Sequence, residues 1–316
     1  NVTNLDEAFV LGNNVFDGDL NLQFPPEYVG NVYVEGPNGF ETTFLVESLT
    51  SEVTEGKQYF SDEIYMPKTG DASALSSFLS NVPAGSTVVF TESESLTGNL
   101  SLNKDLTVKC ASEDVVISSN AGSFYIGNTA NVTFKDFNFG TFHKDSNKSS
   151  TVYAEHLEGA VEFDRCTFGA SDWDSLQLLP AADTASIKIT NCEFNISPTQ
   201  KRVIHIQPSA LIDIAELEIT GNTFNGADEF GGDLICINNV SNIESVLTVG
   251  KNVSDEEFKL QTPPLYEGNV YLADNAQGEV RFKVEALSGA EIVTGADAFA
   301  KHGEIEADPL STDEAY

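Results

Sequence analysis

Four segments of the chain carry one pattern of apolar and polar positions without gaps: VTFKDFNF from Val132, VEFDRCTF from Val161, IKITNCEF from Ile187 and LEITGNTF from Leu217. An aliphatic residue opens each and an apolar residue follows two later. A polar or turn-forming residue stands four later, and Phe139, Phe168, Phe194 and Phe224 close the segments. The starts lie 29, 26 and 30 residues apart. Alternation with period two marks strands, and recurrence at this interval marks stacked coils, each burying its neighbour's apolar face. A second series runs beside the first at intervals of 28 and 31 residues: SLQL from Ser175, VIHI from Val203 and LICI from Leu234. Strands of constant direction in successive coils give parallel sheets, and the crossover rule makes the winding right-handed. The pattern thus predicts an all-β fold, a right-handed parallel β-helix of about six coils between Ser86 and Val253, at roughly 28 residues per coil.

With Val161 and Phe163 inward, Glu162 and Asp164 point outward. The column one residue after the start then reads Thr133, Glu162, Lys188, Glu218, and Lys135 adjoins Asp164. Asp174, Arg202 and Asp233 form another column. Opposite signs alternate in both, as a solvated cross-strand ladder requires. The column four residues after the start, Asp136, Arg165, Asn191 and Gly221, is expected to turn the corner between two strands; three of these types tolerate left-handed bends and Arg165 departs from them. Cys166 and Cys192 share one position on successive coils, about 4.8 Å apart for neighbouring strands. A disulfide and a pair of buried thiols both remain open.

Asp71 reads as the N-cap of a short amphipathic helix, ASALSSFLSNV, with Leu75, Phe78, Leu79 and Val82 on one side and Pro83-Ala84-Gly85 ending it. A helix in this place covers the bare end of the first coil. Outside the coils, residues 12–49 align without gaps to residues 250–287, with 18 of 38 positions identical. The block Gln23-x-Pro25-Pro26-x-Tyr28-x-Gly30-Asn31-Val32-Tyr33 recurs from Gln261 to Tyr271. Val32, Val34, Phe44 and Val46 alternate around Gly36-Pro37-Asn38-Gly39, which predicts a β-hairpin in each copy. The two hairpins either pair with each other or dock on the two ends of the stack. The expected division is an N-terminal β module over 1–70, the helix-capped β-helix over 71–253, and a C-terminal β module with an acidic tail over 254–316.

Composition narrows the functions. Forty-nine acidic against 16 basic residues give a net charge of −33, which repels phosphate backbones and anionic lipid, so nucleic-acid partners are not expected. Such a surface suits extracellular, cell-surface or virion settings. No stretch approaches the roughly 18 apolar residues of a membrane span and no basic leader with an apolar core opens the chain, so membrane insertion is not expected. Residue 1 is Asn and the single methionine is Met66; a removed leader or propeptide and a trimmed terminus both fit.

The phrases ITNCEFN and ITGNTFNG, with a helix ahead of the first coil strand, resemble the pectin-lyase-like parallel β-helix superfamily over roughly residues 71–253. That superfamily holds polysaccharide lyases, galacturonidases, epimerases, phage tailspikes and surface adhesins, so the resemblance implies a fold and no single activity. The chain matches neither the lyases' Arg-centred motif nor the hydrolases' Asp-rich motifs, and no catalytic residue carries over. A Gly-rich phosphate loop, GxSxG and HExxH are absent too.

The best candidate patch is on the outer face of the second series. There Gln177, His205 and Cys236 stack beside Asp174 and Arg202, with Asp172 and Trp173 in the preceding loop. Asp174, His205 and Arg202 are the candidate proton-moving groups, and Trp173 and Gln177 the candidate glycan contacts. The plain alternative makes His205 one member of a solvated column and Trp173 a packed loop residue. His143, His156 and His302 read as surface residues. No metal site is assigned; calcium is the one ion to consider, at Asp172 with Asp174 or at Asp255-Glu256-Glu257, which lack EF-hand spacing. The leading expectation is therefore a non-enzymatic structural or adhesive surface protein that self-associates through its terminal modules into an oligomer, filament or lattice. The alternatives are a polysaccharide lyase or glycosidase, and a glycan-binding module without turnover. A surface polysaccharide is the partner that these alternatives imply.

Overall fold

The computed structural model describes residues 60–82, 84–143, 150–226, 230 and 232–254; beyond these it describes the strand segments 10–11, 31–35, 41–46, 54–55, 259–260, 266–267, 269–274, 278–284, 292–294 and 299–300. The chain winds as a parallel β-solenoid whose coils each contribute one strand to three sheets. Sheet 1 carries the coil strands 86–90, 106–110, 132–135, 160–164, 186–190, 216–220 and 247–250. There are thus about seven turns, where six were expected. The register runs two coils before the four-Phe pattern and one coil after it. It is hidden at the start because Ile117 reaches the Phe139 position after a longer corner, and at the end because Ser254 stands opposite Phe224.

Sheet 2 holds the short strands that carry the closing aromatics, and they stack as rings. Phe139 to Phe168 and Phe168 to Phe194 are both 4.6 Å between centroids, Phe194 to Phe224 is 5.1 Å, and the planes lie within 11° of parallel. All four rings are fully buried. Complete burial of such a side chain stabilises by roughly 1.5–3 kcal/mol, so this column is a main part of the core.

The corner column behaves as expected, Arg165 included. Asp136, Arg165, Asn191 and Gly221 have φ of 49°, 52°, 55° and 69°, and Lys251 continues the column at 56°. A left-handed arginine costs about 1–2 kcal/mol. Here it is held by its own side chain, whose Nε and Nη2 donate to Asp136 Oδ1 at 2.7 Å and Oδ2 at 3.1 Å. That clamp holds the Asp136 carboxyl below its ordinary range. Its contribution is therefore present above the unfolded carboxylate range and lost as pH falls through the lowered folded value. The pair is half exposed, so water and salt screen it and its contribution is small.

One residue further on, the chain points into the core as Phe137, Cys166, Cys192, Asn222 and Asn252, all buried. The two asparagines form a ladder. Asn222 Nδ2 donates to Asn252 Oδ1 at 3.0 Å and to Ile189 O at 2.9 Å, and Asn222 Oδ1 accepts from Cys192 N at 2.9 Å. The buried amides thereby satisfy main-chain groups that the corner leaves unpaired. Cys166 and Cys192 are free thiols, as are buried Cys110 and Cys236. Burial pushes the Cys110 thiol up to about 11 and raises that of Cys166 as well. A thiol reagent is expected to find none of the four cysteines in the native protein and all four after unfolding, read as absorbance with and without denaturant.

The helix spans Ala72–Asn81, with Asp71 Oδ1 accepting from Ser73 N at 2.9 Å and Ala74 N at 3.3 Å. Leu75, Phe78, Leu79 and Val82 are buried, and the helix packs on the first strand of sheet 3, Leu100–Leu102. The expected cap on the first coil is therefore present.

Both predicted hairpins form, and in one register. Strand Asn31–Glu35 pairs with Glu41–Val46 through Asn31↔Leu45 and Val32↔Phe44; strand Asn269–Asp274 pairs with Gly278–Val284 through Asn269↔Lys283 and Val270↔Phe282. Among the described residues they do not pair with each other. The first joins sheet 1 through Phe60–Tyr65, which lies parallel to the first coil strand, whereas the second joins sheet 3 through its own first strand, parallel to Asp233–Ile237. The second hairpin thus supplies the last strand of the seventh coil and belongs to the stack.

Candidate functional site

The strands Asp174–Pro180, Arg202–Ile206 and Asp233–Ile237 lie side by side in sheet 3. Their register sets Asp174 opposite Arg202, Gln177 opposite His205 and His205 opposite Cys236, as the second sequence series implies. The environment differs from the expected one. Asp174 and Arg202 are not in a solvated column and His205 does not face an open groove: their side chains are 0%, 4% and 2% exposed. On the same outer face Val203, Leu234 and Cys236 are buried, and the short strand Lys259–Leu260 packs against Asp233–Ile237.

The sequence held the signal for this. LICI is apolar at both parities and VIHI sets Val203 beside His205 on the outer face, and a strand that is apolar on both sides is covered on both faces. SLQL alternates, so a reading from the first of the three strands misses the change.

Within the covered face the three charged groups meet. His205 Nδ1 lies 3.0 Å from Asp174 Oδ2 and 3.1 Å from Arg202 Nη1, Arg202 Nη1 lies 3.8 Å from Asp174 Oδ2, and His205 Nε2 lies 2.8 Å from Gln207 Oε1. One nitrogen cannot donate to the carboxylate and accept from the guanidinium at once. Placing the proton on Nδ1, and turning the Gln207 amide so that its Nε2 donates to His205 Nε2, both assignments from the hydrogen-bond network, gives Asp174 Oδ2 a donor and leaves Arg202 beside the pair as its counter-charge. Around this core Ser171 Oγ donates to Asp174 O at 3.0 Å, and Gln200 Nε2 donates to Ser175 Oγ at 2.8 Å and Arg202 O at 2.7 Å. A buried cluster of opposite charges can specify how coils pack. It lacks the access a proton-transferring pair needs, since such a group must come within hydrogen-bond reach of a substrate.

The other candidates go elsewhere. Trp173 is half-buried with Lys201 Nζ 4.8 Å from its ring centroid, so a cation occupies one side of the expected sugar platform. Gln177 is half-buried and its Oε1 accepts from Ser150 Oγ at 3.1 Å. Asp172 and Asp174 do not converge as a calcium site would need: Asp172 Oδ1 meets His143 Nδ1 at 3.0 Å, while Asp174 turns into the cluster. Asp255-Glu256-Glu257 and His302 lie outside the described residues, and among the described residues no group of three or more His, Cys, Asp or Glu side chains is placed to hold a metal. His156 is exposed.

Two accessible features remain. Towards the N-terminal coils the outer face of sheet 3 carries the half-buried Tyr125 and Tyr153, whose ring centroids are 5.8 Å apart with planes tilted by 59°, and Tyr125 Oη donates to Glu155 Oε2 at 3.3 Å. Gln177 follows Tyr153 in the same column. Over sheet 1 a groove of about 440 Å³ is lined by Glu162, Lys188, Glu218, Thr220 and Lys251, with Ile292 at its rim. This is the predicted charge ladder, in register as Glu162↔Lys188↔Glu218, although Lys188 makes its ion pair diagonally with Glu216 at 2.9 Å. Lys135 is in register with Asp164, whose carboxylate takes Arg165 at 2.5 Å instead.

The class that these coils define is the parallel β-helix proteins. No family model, curated protein or solved structure matches the chain, so the architecture and the chemistry of the residues carry the functional reading.

Proposed function

We propose that this chain is a non-enzymatic structural or adhesive protein of a virion, cell surface or other extracellular assembly, and that it associates with copies of itself through its terminal β modules. The observation that carries this reading is the burial of Asp174, Arg202 and His205, the constellation that the sequence offered for proton transfer. Removed from solvent and bonded to one another, these groups serve packing. The net charge of −33 supports an exposed, soluble surface, and the phrases around Cys192 and Asn222 support placing the chain among pectin-lyase-like β-helices. Copies of the duplicated module at the two ends of an elongated stack suit end-to-end contacts, and a heterologous contact that does not close builds a filament or lattice.

Tyr125, Tyr153, Glu155 and Gln177 favour a second reading. Two partly exposed aromatic rings beside a carboxylate and an amide fit a glycan laid along this part of sheet 3, bound without turnover. Sedimentation of the purified chain over a range of concentration, with and without calcium, together with a polysaccharide panel scored for binding and for products, separates these readings. Mass rising with concentration and no products are expected. A strict monomer throughout would sink self-association, and cleavage that disappears in both His205→Ala and Asp174→Asn would show an enzyme.

A further inference from the structure

The two copies of the duplicated hairpin are used differently by the stack. In the C-terminal copy the first strand, 269–274, lies between 278–284 and the coil strand 233–237. In the N-terminal copy the equivalent strand, 31–35, is the end strand of sheet 1 among the described residues, and that module reaches the coils through 60–65 instead. The free strand reads NVYVE and the docked one opens NVYLA. Their hairpins share one register, with Tyr33 at the position of Tyr271. The chain therefore carries, as an edge strand among the described residues, a near-copy of a strand that it already accepts on a coil.

The accepting end is lightly held. Only the pair Cys236↔Tyr271 registers strand 269–274 on strand 233–237, against four paired positions between 202–206 and 233–237. The same end is also unfinished. Of the three large apolar side chains that stand exposed among the described residues, Val253 lies on the end strand of sheet 2 and Ile292 on the end strand of sheet 1. A helix covers the opposite end.

Resting on self-association as proposed above, we infer that the N-terminal hairpin of one copy plugs the C-terminal coil of another: strand 31–35 takes on strand 233–237 the place that strand 269–274 fills within its own chain. The occupant is a second copy of this chain, because the strand offered matches the strand displaced in sequence and register. Exchange of like elements between chains preserves most contacts and so costs little, and because donor and acceptor ends differ, the contact runs head to tail. Two chains of net charge −33 repel, so added salt should strengthen the contact until screening is complete.

The Tyr33→Cys variant places a thiol opposite Cys236 of the second copy, since directly paired residues of neighbouring strands share a face and lie within disulfide range. Under reducing conditions it should sediment as the parent chain does. Oxidised with diamide, it should give linked chains on a non-reducing gel, and these should vanish when Cys236→Ser is added. Tyr271→Cys makes the complementary test. Its oxidation locks the chain's own strand on 233–237 and should abolish assembly, which reductant restores. Assembly without a link from position 33 to Cys236, or assembly that survives the Tyr271→Cys lock, overturns the exchange while leaving self-association standing. A monomer under every condition overturns both.

Discussion

Phe168→Ala is expected to cost about 3–5 kcal/mol of unfolding free energy, measured by denaturant titration followed by circular dichroism. Phe168 is fully buried in the middle of the ring column, 4.6 Å from both Phe139 and Phe194, and it also meets Phe163 edge-on at 5.7 Å. Truncation removes the ring and leaves a cavity between two coils. Neither coil can collapse into it, because the parallel strands on each side hold their spacing. In a stack where each coil contacts only its neighbours, the cavity also weakens the coupling of one half to the other. Phe224, at the far end of the column, has Ser254 as its partner on the last coil, so its truncation should cost less. Equal losses at the two positions would show that the column does not act as a stack.

Asp174→Leu is expected to cost about 3–5 kcal/mol, because it strands Arg202 beside His205 in a covered site without the carboxylate. Adding Arg202→Met should recover part of that loss, since an apolar pair of similar size carries no stranded charge; replacements of this kind have ranged from neutral to stabilising by about 1–4 kcal/mol. The measurement is a double-mutant cycle on unfolding free energy. Strict additivity would mean that the three groups do not form a unit, and would remove the structural account of the cluster. A loss of polysaccharide turnover without any loss of stability would point the other way, to a group kept for chemistry.

Much of this architecture could be read from residues. The Phe residues seven positions after each segment start fixed the coil register, and that register fixed which charges adjoin: Glu162, Lys188 and Glu218 are paired as expected. Asp71 and the spacing of Leu75, Phe78 and Leu79 located the helix. Even the misfit at Arg165 followed its column, because the corner geometry is set by the strands on both sides and the side chain found a carboxylate to hold. The candidate site was legible only as a set of neighbours. Alternation along SLQL tells which residues share a face, but not whether another part of the chain lies over that face.

The sequence by itself therefore determined the repeat, the parallel register, the inward column of aromatics and the duplication of the hairpins, because each follows from local periodicity or from direct comparison of segments. Tertiary structure alone decided how Asp174, Arg202 and His205 meet beneath their cover, that the seventh coil is completed by a hairpin strand, and that the two hairpins join different sheets. Those outcomes depend on where segments distant in sequence come to rest. Burial is a property of what covers a residue: apolar residues at both parities of LICI mark a strand that is covered, but nothing in that strand names the segment that covers it.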